Sequence, residues 1–400
     1  MMKTMKSKIL PIFLTIVIVL LLIPCSKAGA KTLKVGIVLP LSGPVAKWGV
    51  SFRNGAVLLA EMINAKGGLN IGKDKYLIEL PEQDDKFTAE GAATAARSLI
   101  ERDKVNLIYG GIGTHLVLAI AQVAEPAHII TLHCAGANEA IAKAKGNRYT
   151  FRGYICYNET YPGLLGWVAK THPQAKSIAL LGLNYESSWF GHELIGKLAP
   201  GLGMSVVYNE YYEGGTKDFT PFLVKALAAK PNIMFNTSSP TPDWALIMKQ
   251  ARQLGFEGLF MESHPPSLSE LTPIAGKEVV EGIIGVGDAT SGPMATQGTK
   301  DFVQAYIKKH GTWDAEAIVL APSLHAIFQA MEQAGSLASD KVVAILESGK
   351  QWKTILGIVG KFGGTRIYGQ PHQWLAPQYV LVVKSGEDVA VSEIPVTEME

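Results

Sequence analysis

Acids, histidines and glycine-rich turns are the parts of this sequence that could do chemistry. The paired acids Asp84 and Asp85 follow a predicted strand and could form a two-carboxylate site, although a solvated loop is the simpler interpretation. The nine histidines are scattered without the spacing of metal ligands. The sequence contains no G-x-S-x-G elbow, no Walker loop and no His-Glu-x-x-His motif. It therefore predicts no catalytic centre, no metal and no cofactor, and we expect a protein that is not an enzyme.

Two turns of small residues predict capture of an anion. Residues 110–114 follow a predicted strand at 105–109, and residues 133–138 follow one at 129–132. Ligands of open parallel sheets bind beyond the carboxyl ends of the strands, where helix N-termini present free N–H groups. Glycine lets the backbone approach a carboxylate closely, and Thr114 adds a hydroxyl donor. For either turn taken alone, an ordinary strand–helix connection is the simpler interpretation, and the first turn lacks the third glycine of a dinucleotide-binding fingerprint.

The elements that position these turns alternate between strand and helix. The spacing predicts strands at 33–39, 76–80, 105–109 and 129–132, and helices at 51–66, 88–102 and 115–126, with Thr88 as an N-cap. The alternation restarts at Ser177 with strands at 178–181, 204–208, 232–235 and 258–261, and residues 300–350 are helical again. A last strand is predicted at 378–384. The fold class is therefore α/β, with two doubly wound parallel-sheet units in tandem joined by several ordered crossings.

The amino-terminal segment has the features of a secretory signal peptide. Lys3, Lys6 and Lys8 precede an apolar run at 9–23, and Ala-Gly-Ala at 28–30 provides a cleavage site. An uncleaved anchor is one alternative. A lipid anchor at Cys25 is another, although Pro24 stands where a lipoprotein motif has a small residue.

Composition narrows the class of partner. Cleavage would remove four of the 37 basic residues and no acid, which leaves 33 bases against 35 acids and a net charge of −2. That charge argues against a nucleic-acid or membrane-surface partner. A mature chain of 370 residues predicts two domains. Only Cys134 and Cys156 remain after cleavage, and either a disulfide or two free buried thiols is compatible with export.

Several motifs resemble those of one family. Residues 35–49, VGIVLPLSGPVAKWG, resemble the opening of the branched-chain amino-acid-binding proteins, and residues 63–69, INAKGGL, resemble the end of their first helix. Asp84-Asp85, residues 250–255 and residues 274–276 fall in matching order. The resemblance covers about residues 33–385. By it the chain is identified as a member of the type I periplasmic binding proteins, in the leucine/isoleucine/valine branch of ABC-transporter receptors.

The resemblance implies two Rossmann-like lobes joined by three crossings, with a ligand cleft between them. The implied division is 1–30 for the signal peptide, 31–152 plus 287–362 for the first lobe, and 153–286 plus 363–400 for the second. It also implies a lid aromatic at Trp48, a carboxylate-binding hydroxyl at Thr114 and backbone donors at Ala135 and Ala137. The whole set of implied ligand-binding residues is Trp48, Gly113, Thr114, Ala135, Gly136, Ala137, Tyr154, Tyr157, Tyr185, Phe190, Glu262 and His264.

Departures from the family concern the ligand's ammonium group. The family has a threonine that helps to hold the ammonium group, and this chain has Ala137 at that position. The family's glutamate that pairs with the ammonium group is replaced by His264, two residues after Glu262. Burying an ammonium without its carboxylate costs about 2–5 kcal/mol. Either another acid takes the role, for which Glu262, Glu186 and Asp218 are candidates, or the ligand lacks the ammonium. An aromatic or aliphatic carboxylate would then fit the aromatic residues and His264.

The resemblance thus implies an exported, periplasmic or otherwise extracytoplasmic receptor. It would close by a hinge on a small amino acid or related carboxylate and present that ligand to the membrane permease of an ABC transporter. The same module could instead serve as a ligand sensor that contacts a signalling receptor. A non-amino-acid carboxylate stays open as the alternative ligand.

Overall fold

The computed structural model describes residues 29–43, 45–134, 147–154 and 157–396. The predicted leader up to residue 28, with Cys25, therefore lies outside the described residues, as do Ala135–Ala137 and Cys156. Among the residues described, no helix combines the length and the apolar character that crossing a membrane requires.

The first sheet is built around a buried central strand. This strand, β1, pairs in parallel with β3, β4 and β5, and β5, β6 and β7 continue the sheet in parallel. The strand order of this sheet is β13-β14-β15-β7-β6-β5-β1-β3-β2, and β4 also pairs with β1. The strands are β1 Lys31–Leu39, β2 Leu69–Ile71, β3 Asp74–Glu79, β4 Glu82–Asp84, β5 Leu107–Gly110, β6 Ile130–His133, β7 Thr150–Arg152, β13 Trp352–Lys353, β14 Val359–Gly363 and β15 Gln373–Leu375.

The second sheet is parallel at one side and antiparallel at the other. Strands β8 to β12 are parallel, and β16 and β17 complete the sheet in antiparallel pairing, in the order β17-β16-β12-β11-β10-β8-β9. The strands are β8 Ser177–Leu183, β9 Ser205–Tyr212, β10 Ile233–Asn236, β11 Leu259–Glu262, β12 Ile284–Gly287, β16 Gln378–Lys384 and β17 Glu387–Ile394. The two sheets with their packed helices are called lobe one and lobe two below.

Helices connect the strands and cover both sheets. They are α1 Ala46–Ala65, α2 Ala89–Glu101, α3 Thr114–Ala124, α4 Tyr157–Thr171, α5 Glu186–Leu198, α6 Thr220–Ala228, α7 Thr241–Gln253, α8 Leu268–Ala275, α9 Lys277–Val280, α10 Gln297–His310, α11 Ala321–Ala334, α12 Ser339–Leu346 and α13 Thr365–Tyr368. Short 3₁₀ turns lie at Ala199–Leu202 and Ala315–Ile318. The predicted cap is confirmed, because the Thr88 side chain accepts a hydrogen bond from the Gly91 N–H at 3.0 Å.

Helix α1 packs very closely against the 3₁₀ turn Ala315–Ile318. A Cβ on Gly55 would lie 1.7 Å from the carbonyl oxygen of Ala317, so only glycine permits this approach. The aliphatic residues of α1, α11 and β1 form one continuous core in lobe one. The turn is therefore fixed to the body of lobe one.

The structure differs from the sequence prediction at several elements. The strand at 378–384 is not the last, since β17 follows it and pairs along its whole length. The helix predicted from Ser51 begins at Ala46, which places Trp48 in its first turn. Strand pairing also puts β14 and β15 in lobe one, so the last passage between sheets lies between Leu375 and Gln378, later than the implied boundary at 362–363. The remaining implied lobe boundaries stay a prediction.

Candidate functional site

A cavity of about 110 Å³ lies where the carboxyl-terminal ends of strands from both sheets face each other. This interlobe cavity is called the cleft. Its lining is Trp48, Phe52, Ile112, Cys134, Tyr154, Tyr157, Thr160, Tyr185, Ser187, Ser238, Ser263, His264, Pro265, Glu316 and Val319. A ligand at this place would contact both lobes at once.

The wall contributed by lobe one is mainly apolar. Trp48 and Phe52 are one helical turn apart on α1 and share a face. Ile112 follows β5, where Gly110 has a φ of 144° and a Cβ would lie 1.8 Å from Val38 O. Cys134 after β6 is a free thiol whose pKa is raised by burial. This wall therefore presents a large aromatic surface and few hydrogen-bond donors to the cavity.

The wall contributed by lobe two carries hydroxyl groups. The Tyr157 ring stacks on Tyr161 with centroids 4.6 Å apart, and its O–H donates to the carbonyl of Thr237 at 2.7 Å. The hydroxyl of Ser263 also donates to the Thr237 carbonyl. These bonds fix the aromatic ring of Tyr157 at the cleft, while Tyr185 lines the cleft from the start of α5.

Five of the predicted site residues line the cleft together: Trp48, Tyr154, Tyr157, Tyr185 and His264. Phe190 lies behind them, with its ring centroid 6.3 Å from that of Tyr157, and Glu262 lies next to His264. Gly113 and Thr114 follow Ile112 but do not line the cavity, and the buried Thr114 hydroxyl has no hydrogen-bond partner among the described residues. Ala135, Gly136 and Ala137 lie outside the described residues.

Like Glu262, the other two candidate acids are absent from the lining of the cleft. Glu186 begins α5 beside the lining residue Ser187. Asp218 is exposed and accepts a hydrogen bond from the Thr220 N–H at 3.0 Å, so it is used locally at the start of α6. All these ligand contacts stay a prediction.

A cluster of two acids and one imidazole forms the polar end of the cleft. Nδ1 of His264 lies 3.6 Å from Oε2 of Glu262 and 3.7 Å from Oε1 of Glu316. Glu262, at the end of β11, has no exposed surface, and neither of its carboxylate oxygens has a hydrogen-bond partner among the described residues. These three residues are called the acid–imidazole cluster.

Desolvation controls the charge of this cluster. Burial raises the pKa of Glu316 to about 8, and the negative charges of Asp314 and Glu270 add to that effect while Lys47 opposes it. Burial, together with the charge of Glu316, raises the pKa of Glu262 well above its usual value. Burial lowers the pKa of His264 to about 4. Burial therefore favours the uncharged form of each of the three groups.

Glu316 is the functional candidate that the sequence analysis missed. It lies in the 3₁₀ turn Ala315–Ile318, well after the site residues that the sequence analysis predicted. A signal was present, because Glu316 is the single charged residue in the otherwise apolar run 315–322. An isolated acid in such a run predicts burial of a charge, which is typical of functional sites.

A second interlobe cavity is larger. It measures about 710 Å³ and runs between α8, α10 and β17; it is called the lateral groove. Within the described residues, no group of three or more His, Cys, Asp or Glu side chains is placed to hold a metal ion.

Comparisons with known proteins agree on one family. A family model described as periplasmic binding protein matches residues 32–387. The leucine-, isoleucine-, valine-, threonine-, and alanine-binding protein of Pseudomonas aeruginosa is 25% identical over 333 residues, which cover 80% of this chain and 83% of that protein.

Two solved structures show the same fold. The branched-chain amino acid transporter substrate binding protein LivJ of Streptococcus pneumoniae, in complex with isoleucine, matches with a TM-score of 0.77 at 20% identity over 90% of this chain and 100% of that chain. A solute binding protein of an ABC transporter from Rhodopseudomonas palustris, in complex with 3,4-dihydroxy benzoic acid, matches with a TM-score of 0.76 at 22% identity, covering 91% and 98%.

Proposed function

The chain belongs to the periplasmic binding protein family, and we propose that it is the extracytoplasmic receptor of an ABC transporter. In this role it binds a small organic ligand between its lobes and makes or breaks no covalent bond. The single observation that supports this proposal most directly is the cleft, whose lining comes from both lobes and combines aromatic rings with hydroxyl groups. Such a mixture of apolar walls and few polar groups is typical of small-molecule sites.

Hinge closure is the proposed mechanism. Three passages of chain connect the sheets, after β7, after β12 and between β15 and β16. A ligand that contacts both walls interacts with more of the protein in the closed state than in the open state, and only this difference can shift the equilibrium. The permease would then recognise the closed surface. A signalling receptor as the partner is the second candidate for the same movement.

The proposed ligand is a small amino acid or a related carboxylate. The Pseudomonas aeruginosa relative is named for binding five amino acids, and the Streptococcus pneumoniae neighbour was solved with isoleucine. An aromatic carboxylate is the alternative ligand, favoured by the rings of Trp48, Phe52 and Tyr185 and by the neighbour bound to 3,4-dihydroxy benzoic acid.

The proposed contacts follow from the lining. Trp48, Tyr157 and Tyr185 cover the apolar part of the ligand. Tyr154 has a buried hydroxyl with no hydrogen-bond partner among the described residues, and we propose that it donates to the ligand's carboxylate. The cost of a buried donor left unpaired is about 1–3 kcal/mol, and a ligand acceptor would remove that cost.

Export is part of the proposal. Residues 1–30 carry the basic, apolar and small-residue segments of a signal peptide. Comparison of the amino terminus of protein recovered from the extracytoplasmic fraction with Lys31 tests cleavage at this site. A mature chain that still carries residues 1–30 would contradict it.

A thermal-shift screen of residues 31–400 tests the function. The panel contains amino acids and small aromatic and aliphatic acids, and a matched Tyr185→Ala variant serves as the control. A ligand at 100 times its Kd should add about 2.7 kcal/mol to the free energy of unfolding, which moves the melting midpoint visibly. We expect one class to stabilise the native chain clearly more than the variant. Absence of stabilisation by every compound would contradict the receptor function for these ligand classes.

A further inference from the structure

A further cavity, of about 190 Å³, lies beside two of the three passages of chain that connect the sheets. Asp288 and Ala289 of the passage after β12 form one wall, and Pro377 and Tyr379 form another where the third passage enters β16. The N-terminal end of α10 and the turn at 357–359 complete the lining. This cavity is called the hinge cavity, and it shares no lining residue with the cleft or the lateral groove.

The mouth of the hinge cavity is apolar. Two of the lining residues, Met294 and Val359, are also exposed to solvent, at 39% and 36%. Ala289 and Ile358 add apolar surface beside them. Exposed apolar side chains that are grouped around a concavity are typical of an interaction site. A ligand with an apolar body would cover both exposed side chains.

The interior of the hinge cavity contains one buried acid. Asp288 is 4% exposed, and its Oδ1 accepts a hydrogen bond from Nε2 of Gln378 at 3.3 Å. Within the described residues its second oxygen, Oδ2, accepts no hydrogen bond, and no Lys, Arg or His lines the cavity. Burial raises the pKa of Tyr379, and the charges of Glu393 and Asp288 add to that effect. An acid and an aromatic ring therefore share this cavity without a basic group to compensate the acid.

The helix end in the wall of the hinge cavity does not offer a site for an anion. Thr296 caps α10 by accepting a hydrogen bond from the Thr299 N–H at 3.0 Å. The hydroxyl groups of both threonines donate to the carbonyl of Leu356, so neither is free for a ligand. A Cβ on Gly298 would lie 2.5 Å from the carbonyl oxygen of Ile355, which shows that backbone covers this helix end. An anionic ligand would therefore meet the acid Asp288 and no compensating cation.

We propose that the hinge cavity is a second ligand site, separate from the cleft, which takes a small organic cation with an apolar body. The cationic group lies against the carboxyl of Asp288 and the ring of Tyr379, and the apolar body covers Met294 and Val359. A carboxylate and an aromatic face both attract a cation, and exclusion of water strengthens each attraction. This inference goes beyond the proposed receptor function and does not depend on it.

The charge of Asp288 sets the pH dependence of this site. Burial raises the pKa of Asp288 to about 7, and the hydrogen bond from Gln378 opposes that effect. The titratable groups that interact with it are the phenols of Tyr154 and Tyr379, which stay neutral in this range because their pKa values are raised. In the empty cavity the carboxyl is therefore about one-tenth ionised at pH 6 and about nine-tenths ionised at pH 8. A cation binds the ionised form, so its affinity should rise about 10-fold over this interval.

The test uses three probes that share one carbon chain. Butylammonium chloride carries a cation, 1-butanol carries a neutral hydroxyl, and sodium butanoate carries an anion. Ligand-observed NMR titration of residues 31–400 measures the affinity of each probe at pH 6 and at pH 8. At pH 8 we expect butylammonium to bind about 10-fold or more tightly than butanol, and butanoate to bind most weakly. We also expect the affinity for butylammonium, and not that for butanol, to rise about 10-fold from pH 6 to pH 8.

Variants locate the bound cation. Asp288→Asn keeps the shape of the side chain and should remove both the preference for butylammonium over butanol and the pH dependence. Met294→Lys changes an exposed residue, places a competing ammonium at the mouth of the cavity, and should weaken butylammonium about 3- to 10-fold. The control Asp301→Asn removes an exposed acid of α10 outside the cavity and should alter neither quantity. Thermal unfolding of each variant without ligand verifies that it is folded.

Three results would overturn the inference and leave the receptor function standing. The first is absence of butylammonium binding at pH 8, or binding no tighter than that of butanol. The second is an affinity for butylammonium that stays constant from pH 6 to pH 8. The third is weakening of butylammonium by Tyr185→Ala and not by Asp288→Asn, which would place the cation in the cleft. The thermal-shift screen decides the receptor function separately, because it follows ligands of the cleft.

Discussion

The cleft and the lateral groove lie between the same two lobes and differ in almost every other respect. The groove has a volume of about 710 Å³ and the cleft about 110 Å³. The acid at the floor of the groove, Asp388, accepts a hydrogen bond from the Thr290 hydroxyl at 3.2 Å, and its neighbour Glu387 is exposed. The buried polar atoms without partners in the groove lining are neutral, namely Ser269 Oγ and Trp313 Nε1.

In the cleft, by contrast, the acids are withdrawn from water without hydrogen bonds that compensate them. Glu262 has no exposed surface and two unpartnered oxygens, and it lies beside Glu316 and His264. Desolvating a charge is far more costly than leaving a hydroxyl unpaired. If the cleft is the ligand site, as proposed, then buried ionisable groups without hydrogen-bond partners mark that site better than cavity size does.

The largest expected effect concerns pH and stability. The folded pKa of Glu316 is about 8, above the value of an unfolded glutamate, so the folded chain holds a proton that the unfolded chain has lost between about pH 4.5 and 8. Its contribution to stability is therefore present at low pH and is lost as pH rises. Glu316→Gln removes this loss. The free energy of unfolding of the variant should equal that of the native chain near pH 4.5 and exceed it by several kcal/mol at pH 8, since each pKa unit is worth about 1.4 kcal/mol.

Urea unfolding at pH 5, 6.5 and 8 measures this difference. Gln304→Ala in the lateral groove is the control, because this exposed side chain carries no ionisable group, and its difference from the native chain should be independent of pH. Parallel pH profiles for native chain and Glu316→Gln would mean that the two cavities do not differ in the way described.

The next effect concerns the close packing of α1 against the 3₁₀ turn that carries Glu316. Gly55→Ala places a Cβ 1.7 Å from Ala317 O and must displace the turn that carries Glu316. We expect a loss of about 3 kcal/mol in the free energy of unfolding. Gly196→Ala is the matched control, since this exposed residue of α5 has no atom within 4 Å of its added Cβ and should gain up to about 1 kcal/mol. Equal stabilities of the two variants would contradict the close packing.

Ligand affinity should respond at one cavity only. Tyr185→Ala removes an aromatic ring from the cleft and should weaken the ligand found in the screen about 10- to 100-fold, the equivalent of losing about 1.5–3 kcal/mol of apolar burial. Gln304→Ala changes an exposed residue of the lateral groove and should leave affinity unchanged. Calorimetry with both variants checks this, and the reverse order of effects would place the ligand in the groove.

The smallest expected effect comes from removing a hydroxyl group that donates a hydrogen bond to a backbone carbonyl, once in the cleft and once in the lateral groove. Tyr157→Phe removes the donor to Thr237 O, which keeps a second donor from Ser263, and Ser291→Ala removes the donor to Asp388 O at 2.8 Å. Each should cost about 1 kcal/mol or less in stability. Only Tyr157→Phe should also change ligand affinity, by a few-fold. An affinity change in Ser291→Ala would show that the groove contributes to binding.

The central strands and their helices could be predicted because their signals are local. β1, β5, β6 and β10 are mainly apolar and mostly buried, and the cap at Thr88 is a single residue with a single partner. Strand β4 has the sequence Glu-Gln-Asp, which contains no apolar pattern, and it exists because β1 provides a parallel partner. β17 escaped prediction because small and acidic residues, Ala390 and Asp388, occupy buried positions of the strand.

The residues of the candidate site also divide into those that local sequence predicts and those that it does not. Aromatic residues after strand ends and the Glu262–His264 pair follow from local position and from the family resemblance. Glu316 does not, because its approach to His264 depends on how α1 packs against a turn more than 250 residues later in the chain, from Gly55 to Ala317. Contacts of this kind are set by tertiary packing, for which the sequence has no periodic signature.

The order of the first sheet has a consequence for how the chain acquires its structure. Gln373 of β15 pairs with Arg152 of β7, 221 residues earlier, and the parallel strands of the second sheet, β8 to β12, lie between them in sequence. Closing so long a loop is slow, and proteins rich in such distant pairings have high contact order. During synthesis from the amino terminus, the parallel strands of lobe two can form before β15, the partner strand of β7, has been made. We therefore expect the parallel strands β8 to β12 of lobe two to acquire protection against hydrogen exchange before the β7–β15 edge during refolding, with docking of β14 and β15 as the late step.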